Sequence, residues 1–205
     1  MIAEPQITAG LIAEQLEAAA SSFATGELAY LALTSKVELP LRDRLAWSLH
    51  TALPEFVVAR EWHRSDLAVL DLDARIPHAL IEAKAMYSFD VARADGPGLA
   101  AYTSKIAADL NKARDLARDA PTGVFGLAFV THPQGAPPHL PNVIKYISGI
   151  RGALRLGTET EVRQAAAANL SSALRDLGPV LGGRLDAGEA FGVNIAIDYW
   201  IVGPA

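Results

Sequence analysis

The chain contains no cysteine. Disulfides, thiolate-bound zinc and iron–sulfur clusters are therefore excluded, and the composition suits a cytoplasmic setting. Positive charge is also scarce: 18 Lys and Arg stand against 23 Asp and Glu, a net charge of −5. Proteins that hold nucleic acid without regard to sequence are normally basic, because they must neutralise phosphates. Any nucleic-acid site here has to be a local basic rim on an acidic molecule. Long hydrophobic runs are missing too. No stretch approaches the roughly 20 apolar residues that cross a bilayer, so no membrane partner is expected. The first residues carry no basic segment, and Glu14 and Glu17 interrupt the first apolar stretch, so a secretory leader is not expected. There is no Gly-rich phosphate loop after a strand and no Gly-x-Ser-x-Gly elbow, which leaves Rossmann, P-loop and α/β-hydrolase chemistry unsupported.

What is present is a substantial apolar fraction. Of 205 residues, 51% are hydrophobic, enough for one domain with a sizeable core. Its most informative stretch is a pair of apolar runs at 66–71 and 79–84, joined by residues with turn chemistry at 71–77. The pair reads as a β-hairpin carrying two acids and a lysine: Asp66 on the first strand, Glu82 and Lys84 on the second. Side chains alternate faces along a strand, so Glu82 and Lys84 share a face. A hairpin centred near Arg75 sets Asp66 opposite Lys84 and diagonal to Glu82, at Cβ separations of roughly 5 Å and 7–8 Å. Two carboxylates so placed can grip one divalent cation with an ammonium beside it. A slip of one residue would turn Asp66 to the other face. Asp71 lies on the opposite face and Asp73 falls in the turn, where Asp is common for backbone reasons, so Asp66 is the preferred ligand.

This arrangement resembles the PD-(D/E)XK, or restriction-endonuclease-like, nucleases. Their motif is an Asp on one strand and Asp/Glu-x-Lys on the next, here Asp66 and Glu82-Ala83-Lys84, with Ser65 at the position of the motif's proline. The apolar flanks Leu67, Val69, Leu80 and Ile81 fit it as well. The resemblance implies an α/β restriction-endonuclease-like fold, a central mixed β-sheet flanked by helices. It also implies a Mg²⁺-dependent nuclease, with Mn²⁺ as a substitute, that hydrolyses phosphodiester bonds in DNA, an endonuclease by expectation. Asp66 and Glu82 would hold the metal, with the Ala83 backbone carbonyl as a third ligand. Lys84 would orient or deprotonate the attacking water, or stabilise charge on phosphorus. Two alternatives stand beside this: a catalytically silent member of the same fold used for binding or assembly, and an unrelated α/β protein whose acids and lysine form a surface ion pair. The acidic balance leaves room for a homodimer or protein partner to supply DNA affinity.

Other segments take their place around the hairpin. Helices are expected over 8–24 and 27–34, making 1–34 a helical extension of a single 1–205 domain. Glu38 opens a helix running to about 53. It reads either as the far half of a capping box with Ser35 or, by the resemblance, as an additional acid of the catalytic site; Arg42, one turn on, could pair with it. A strand is expected over 55–62, then a turn at His63 and Arg64, the latter a candidate phosphate contact. A helix over 99–120 aligns Tyr102, Lys105, Asp109 and Lys112 on one side. In the resembled family such a helix faces the site or the phosphates, which makes Tyr102, Lys105 and Lys112 nucleic-acid candidates; the alternative is a solvated face of charge pairs. Residues 124–130 read as a buried strand reached by a parallel crossover, and 132–141 as a loop. Asn142 is read as the cap of a helix to 156, Thr158 and Glu161 as the capping box of a helix to 177, and 191–202 as a closing strand. No reading accounts for Asp198 in that strand.

Overall fold

The computed structural model describes residues 6–73, 76–118 and 120–204. The expected hairpin centre near Arg75 lies outside the described residues, as do residues 1–5. Three helices come first: α1 (Ala9–Ser21), α2 (Glu27–Thr34) and α3 (Glu38–Ala52). Then follow β1 (Phe56–Trp62), β2 (Ser65–Asp71), β3 (Pro77–Tyr87), a short α4 (Ser88–Val91) and the long α5 (Pro97–Ala117). The chain closes with β4 (Gly123–Pro133), α6 (Ile147–Leu156), α7 (Glu159–Arg175), β5 (Val180–Ala190) and β6 (Val193–Val202). This is an α/β protein with one six-stranded mixed sheet, in the order β1-β2-β3-β4-β6-β5. Among the described residues, only β3 and β4 pair in parallel, across the crossover that contains α5. The wholly apolar centre of β4 is what a strand covered on both faces requires.

Strand alternation divides the apolar residues between two cores. Leu67, Val69, Ile81 and Phe125 face one side, where α1, α2 and α3 add Leu16, Leu33, Leu41 and Leu45. Ala68, Leu70, Leu80 and Val124 face the other, against Ile106 and Leu110 of α5 and Leu170 of α7. Within the stretch expected as a helical extension, α1 and α2 add Ile12, Leu16, Leu28 and Leu33 to the first core. Two apolar residues of α3, Leu39 and Trp47, are exposed, because its buried stripe runs through Leu41, Leu45 and Leu49 at four-residue spacing.

The start of α5 matters for the site. Pro97 occupies its first turn, where a missing N–H costs nothing. A Cβ on Gly98 would fall 2.1 Å from the Asp90 carbonyl oxygen, so only glycine lets the two segments touch and fixes where α5 begins.

Several expectations are corrected. The hairpin register is Leu67 opposite Ile81 and Ala68 opposite Leu80, with a bulge between Val69 and Leu70. One position further, this frame sets Asp66 across from Glu82, not Lys84. The shift is two residues, so the faces are unchanged. Asn142 caps no helix: 141–146 form turns, and α6 begins after Tyr146, whose backbone is left-handed at φ 58°. His132 lies in β4, not in a loop, and its buried Nδ1 is 3.0 Å from the Ser88 hydroxyl. Burial, then the nearby Arg163 cation, pushes its pKa down to about 4, so it is a neutral core group at physiological pH. The edge strand β5 was not foreseen; its glycines depress β propensity, and Gly183 packs beneath the Tyr199 ring. Asp198 now has its account: Arg163 of α7 grips both carboxylate oxygens, at 2.8 and 2.6 Å.

Candidate functional site

The site begins where β2 and β3 part. Their ladder ends at Leu67 and Ile81, but β3 runs on to Tyr87. Its next edge N–H groups on this side need acceptors, since unpaired backbone donors are costly away from water. Two carboxylates supply them. Asp66 Oδ2 accepts from the Ala83 N–H at 2.8 Å, and Glu38 Oε2 accepts from the Ala85 N–H at 2.9 Å. Residues two apart on a strand are separated by roughly 7 Å, so β2 and the first turn of α3 each deliver an acid to the same short edge. Glu38 makes no capping box with Ser35; the N-cap of α3 is Val37, with no side-chain cap.

Behind Asp66 sits a buried cation. The guanidinium of Arg42 is 3.5 Å from Asp66 Oδ1, 2.9 Å from Asp43 Oδ1, and in direct contact with Glu61. Arg42 therefore does not pair with Glu38. It neutralises three acids drawn from three elements, and these partners keep it charged in spite of its burial. That contact anchors Glu61, whose carbonyl accepts from the Arg64 N–H across the turn after β1. Glu61, His63 and Arg64 all have left-handed backbones, at φ 56°, 48° and 72°, and non-glycine residues hold such angles only when surrounding contacts over-determine them.

On the sheet face toward α5 lie Glu82 and Lys84. Lys84 Nζ is 2.8 Å from Asp109 Oδ2 and donates to the Ala83 carbonyl at 2.9 Å. Burial alone would lower its pKa; Asp109, Glu38 and Asp66 together raise it instead. Lys84 is thus held as an ammonium. Asp109, whose burial is outweighed by Lys84 and Lys112, is held as a carboxylate below the ordinary range. Glu82 behaves differently. Burial, reinforced by the charges of Asp66 and Asp109, lifts its carboxyl to about 7, against the opposing influence of Ser65 and Lys84. The Glu82 side chain forms part of the wall of a cleft of about 420 Å³, with His63, Arg64 and Ser65 on one flank and Asp109, Lys112 and Leu116 on the other.

The structure thus brings Glu38, Asp66, Glu82, Ala83 and Lys84 together. Arg64 and Lys112 stand at the cleft. Tyr102 and Lys105 lie one to two turns up α5, where Lys36 donates to the Tyr102 hydroxyl at 2.9 Å and Lys105 sits 5.5 Å from the ring centre. Sequence reasoning missed the role of Asp109, although its spacing from Lys112 marked it as part of a charged face. It also missed Arg42 as the counter-ion of Asp66, which only the tertiary fold discloses. Comparison with protein-family models, curated proteins and solved structures gives no match.

Among the described residues, no three His, Cys, Asp or Glu converge as a ready metal cage. Mg²⁺ does not need one: it keeps several waters and binds through one or two carboxylates. The donor chemistry of Asp66 and Glu82 fits that pattern. The high pKa of Glu82 comes first from burial, to which the charges of Asp66 and Asp109 add; a divalent cation beside it would favour the charged form.

That pKa has a stability consequence in the metal-free protein. The folded carboxyl, at about 7, holds its proton more tightly than the free value of 4.5. Its contribution is therefore fully present below pH ~4.5 and is lost as pH rises through about 7. Discounting for partial solvent contact, the loss is about 1–2 kcal/mol. In EDTA, Glu82→Gln should melt within a degree of wild type at pH 5. By pH 8 it should melt higher, by about 2–6 °C. A pH-independent difference between the two melting curves would refute the assignment.

Proposed function

We propose that the protein is a metal-dependent nuclease of the restriction-endonuclease-like kind, cleaving phosphodiester bonds in DNA. The observation that carries this reading is the fork itself: carboxylates from α3, β2 and β3 gathered around one ammonium, beside a cleft flanked by Arg64 and Lys112. Hydrolysis of a phosphodiester needs an activated water, cover for the extra negative charge on phosphorus, and a stabilised leaving oxygen. A bound Mg²⁺ or Mn²⁺ lowers the pKa of its water and takes up developing charge. Asp66 and Glu82 would hold it, with the Ala83 carbonyl as a third donor.

The chain's own groups supply the rest. Lys84, an ammonium anchored by Asp109, offers charge and hydrogen bonds to the phosphate oxygens, a role that suits it better than that of general base. Glu82, whose carboxyl titrates near neutrality in the metal-free protein, would give up that proton on becoming a ligand of the metal. Arg64 and Lys112 are the phosphate contacts at the cleft, and Tyr102 and Lys105 continue that rim along α5. Glu38 fixes the strand edge on which Lys84 is mounted.

A second reading has a specific observation in its favour. Asp66 and Glu38 each spend an oxygen on backbone N–H groups, and Lys84 is occupied by Asp109. A silent restriction-endonuclease-like fold, retained for binding or assembly, would need no more than this. A thermal-shift titration separates the two. A ligand that binds the native state at a hundred times its Kd stabilises it by about 2.7 kcal/mol, so saturating Mn²⁺ should raise Tm by several degrees. No shift up to millimolar Mn²⁺ favours the silent fold.

A further inference from the structure

The chain has five lysines, at 36, 84, 105, 112 and 145. Lys84 and Lys112 share Asp109. Among the described residues, Lys36, Lys105 and Lys145 are in no ion pair. In an acidic protein this is notable, because the three belong to one neighbourhood. Lys36 Nζ hydrogen-bonds the Tyr102 hydroxyl and lies 5.1 Å from that ring's centre, while Lys105 Nζ lies 5.5 Å from the same centre. Two ammoniums thus converge on one phenol. The backbone N–H of Lys145 donates to the Leu33 carbonyl, which ties its loop to the end of α2, three residues before Lys36. Asp90 is within electrostatic range of Lys36, but its carboxylate accepts the Tyr87 N–H at 2.9 Å.

Aromatic rings stand beside these cations. Phe89 stacks on Tyr87 with ring centres 5.3 Å apart, and Tyr146 leans against Tyr87 at 5.2 Å with the two planes tilted by 55°. Tyr87 is buried, whereas Tyr146 is 47% exposed and is held by a left-handed backbone. An exposed ring braced from behind by a buried one is a platform on which a base can stack. Stacking on an aromatic side chain needs a base freed from its pair, so cations beside an exposed ring fit a single strand better than a duplex.

We propose that Lys36, Lys105 and Lys145 with Tyr146 form a docking surface for a single-stranded segment of nucleic acid leading to the fork. The lysines bind its phosphates and Tyr146 stacks one of its bases. The surface adjoins the site on the side away from Arg64, since Lys36 lies two residues before Glu38 and Lys105 one turn before Asp109. The identity of the anion rests on the nuclease reading, so the test measures binding without cleavage.

Anisotropy of a fluorescein-labelled 15-nucleotide oligothymidylate, in EDTA, should give tighter binding than the matching duplex. Lys36→Gln/Lys105→Gln should weaken the single strand about tenfold or more. It should also lower the slope of log affinity against log salt by about 1.4, the value for two lost phosphate contacts on a single strand. Tyr146→Ala should weaken it about tenfold with the salt slope unchanged. Tyr146→Phe should bind as wild type, which separates stacking from loss of fold. Equal affinity of wild type and the double glutamine variant, or preference for the duplex, overturns the inference. If strand binding follows this pattern while metal-supplemented protein cleaves nothing, the inference stands and the nuclease reading falls.

Discussion

Lys84→Ala should abolish DNA cleavage, by at least about a thousandfold in kcat, and leave the protein folded. The size follows from removing a preorganised charge aimed at a developing anion, which alone costs on the order of 10²–10³. Here the lysine also acts on Glu82, lowering its pKa against the larger effect of burial. The fold should survive because Asp109 does not lose its only cation: Lys112 remains 3.0 Å away. The stability cost should stay at about 1.5–3 kcal/mol, that of a hydrogen bond to a charged group. Mn²⁺ binding should be retained, since lysine is not a ligand. A variant that loses activity only because it unfolds would show itself in the melting curve.

Asp66 carries two separable burdens, and two substitutions divide them. Its Oδ2 closes the β3 edge by accepting from Ala83, and it is one of the two carboxylates proposed to hold the metal. Asp66→Ala should lose Mn²⁺ binding in calorimetry. It should also destabilise the metal-free protein by about 1–3 kcal/mol, because the Ala83 N–H is left without its acceptor. Asp66→Asn keeps an acceptor oxygen. It should lose the metal as thoroughly while giving back most of the stability. Unchanged Mn²⁺ affinity in both variants would place the metal elsewhere or nowhere. Equal melting temperatures in both would mean that the edge hydrogen bond carries no weight.

The parts of this site visible in the sequence are those fixed by local periodicity. Alternation in the two strands put Glu82 and Lys84 on one face, and a register error of two residues left Asp66 correctly oriented because a strand repeats every two. The register itself was not legible, since a bulge between Val69 and Leu70 sets it. Glu38 was visible only as a choice between cap and site, because four residues of sequence cannot say that Ala85, 47 positions away, needs an acceptor. Arg42 and Asp109 are the same lesson in reverse. Each looked like a surface charge on a helix, and each is defined by partners on strands. β5 was hidden by Gly182, Gly183 and Gly188; its pairing with β6 supplies what its own propensity lacks.

The activity proposed for the fork of β2 and β3 is metal-dependent phosphodiester hydrolysis. It is tested most directly by incubating metal-stripped wild type and Lys84→Ala, purified side by side, with end-labelled linear, nicked, branched and single-stranded DNA in Mg²⁺, Mn²⁺ or EDTA. Wild type should cleave at least one substrate with either metal and none in EDTA, and Lys84→Ala should cleave none. Equal cleavage by both proteins, or none by wild type on any substrate, would contradict the proposed activity.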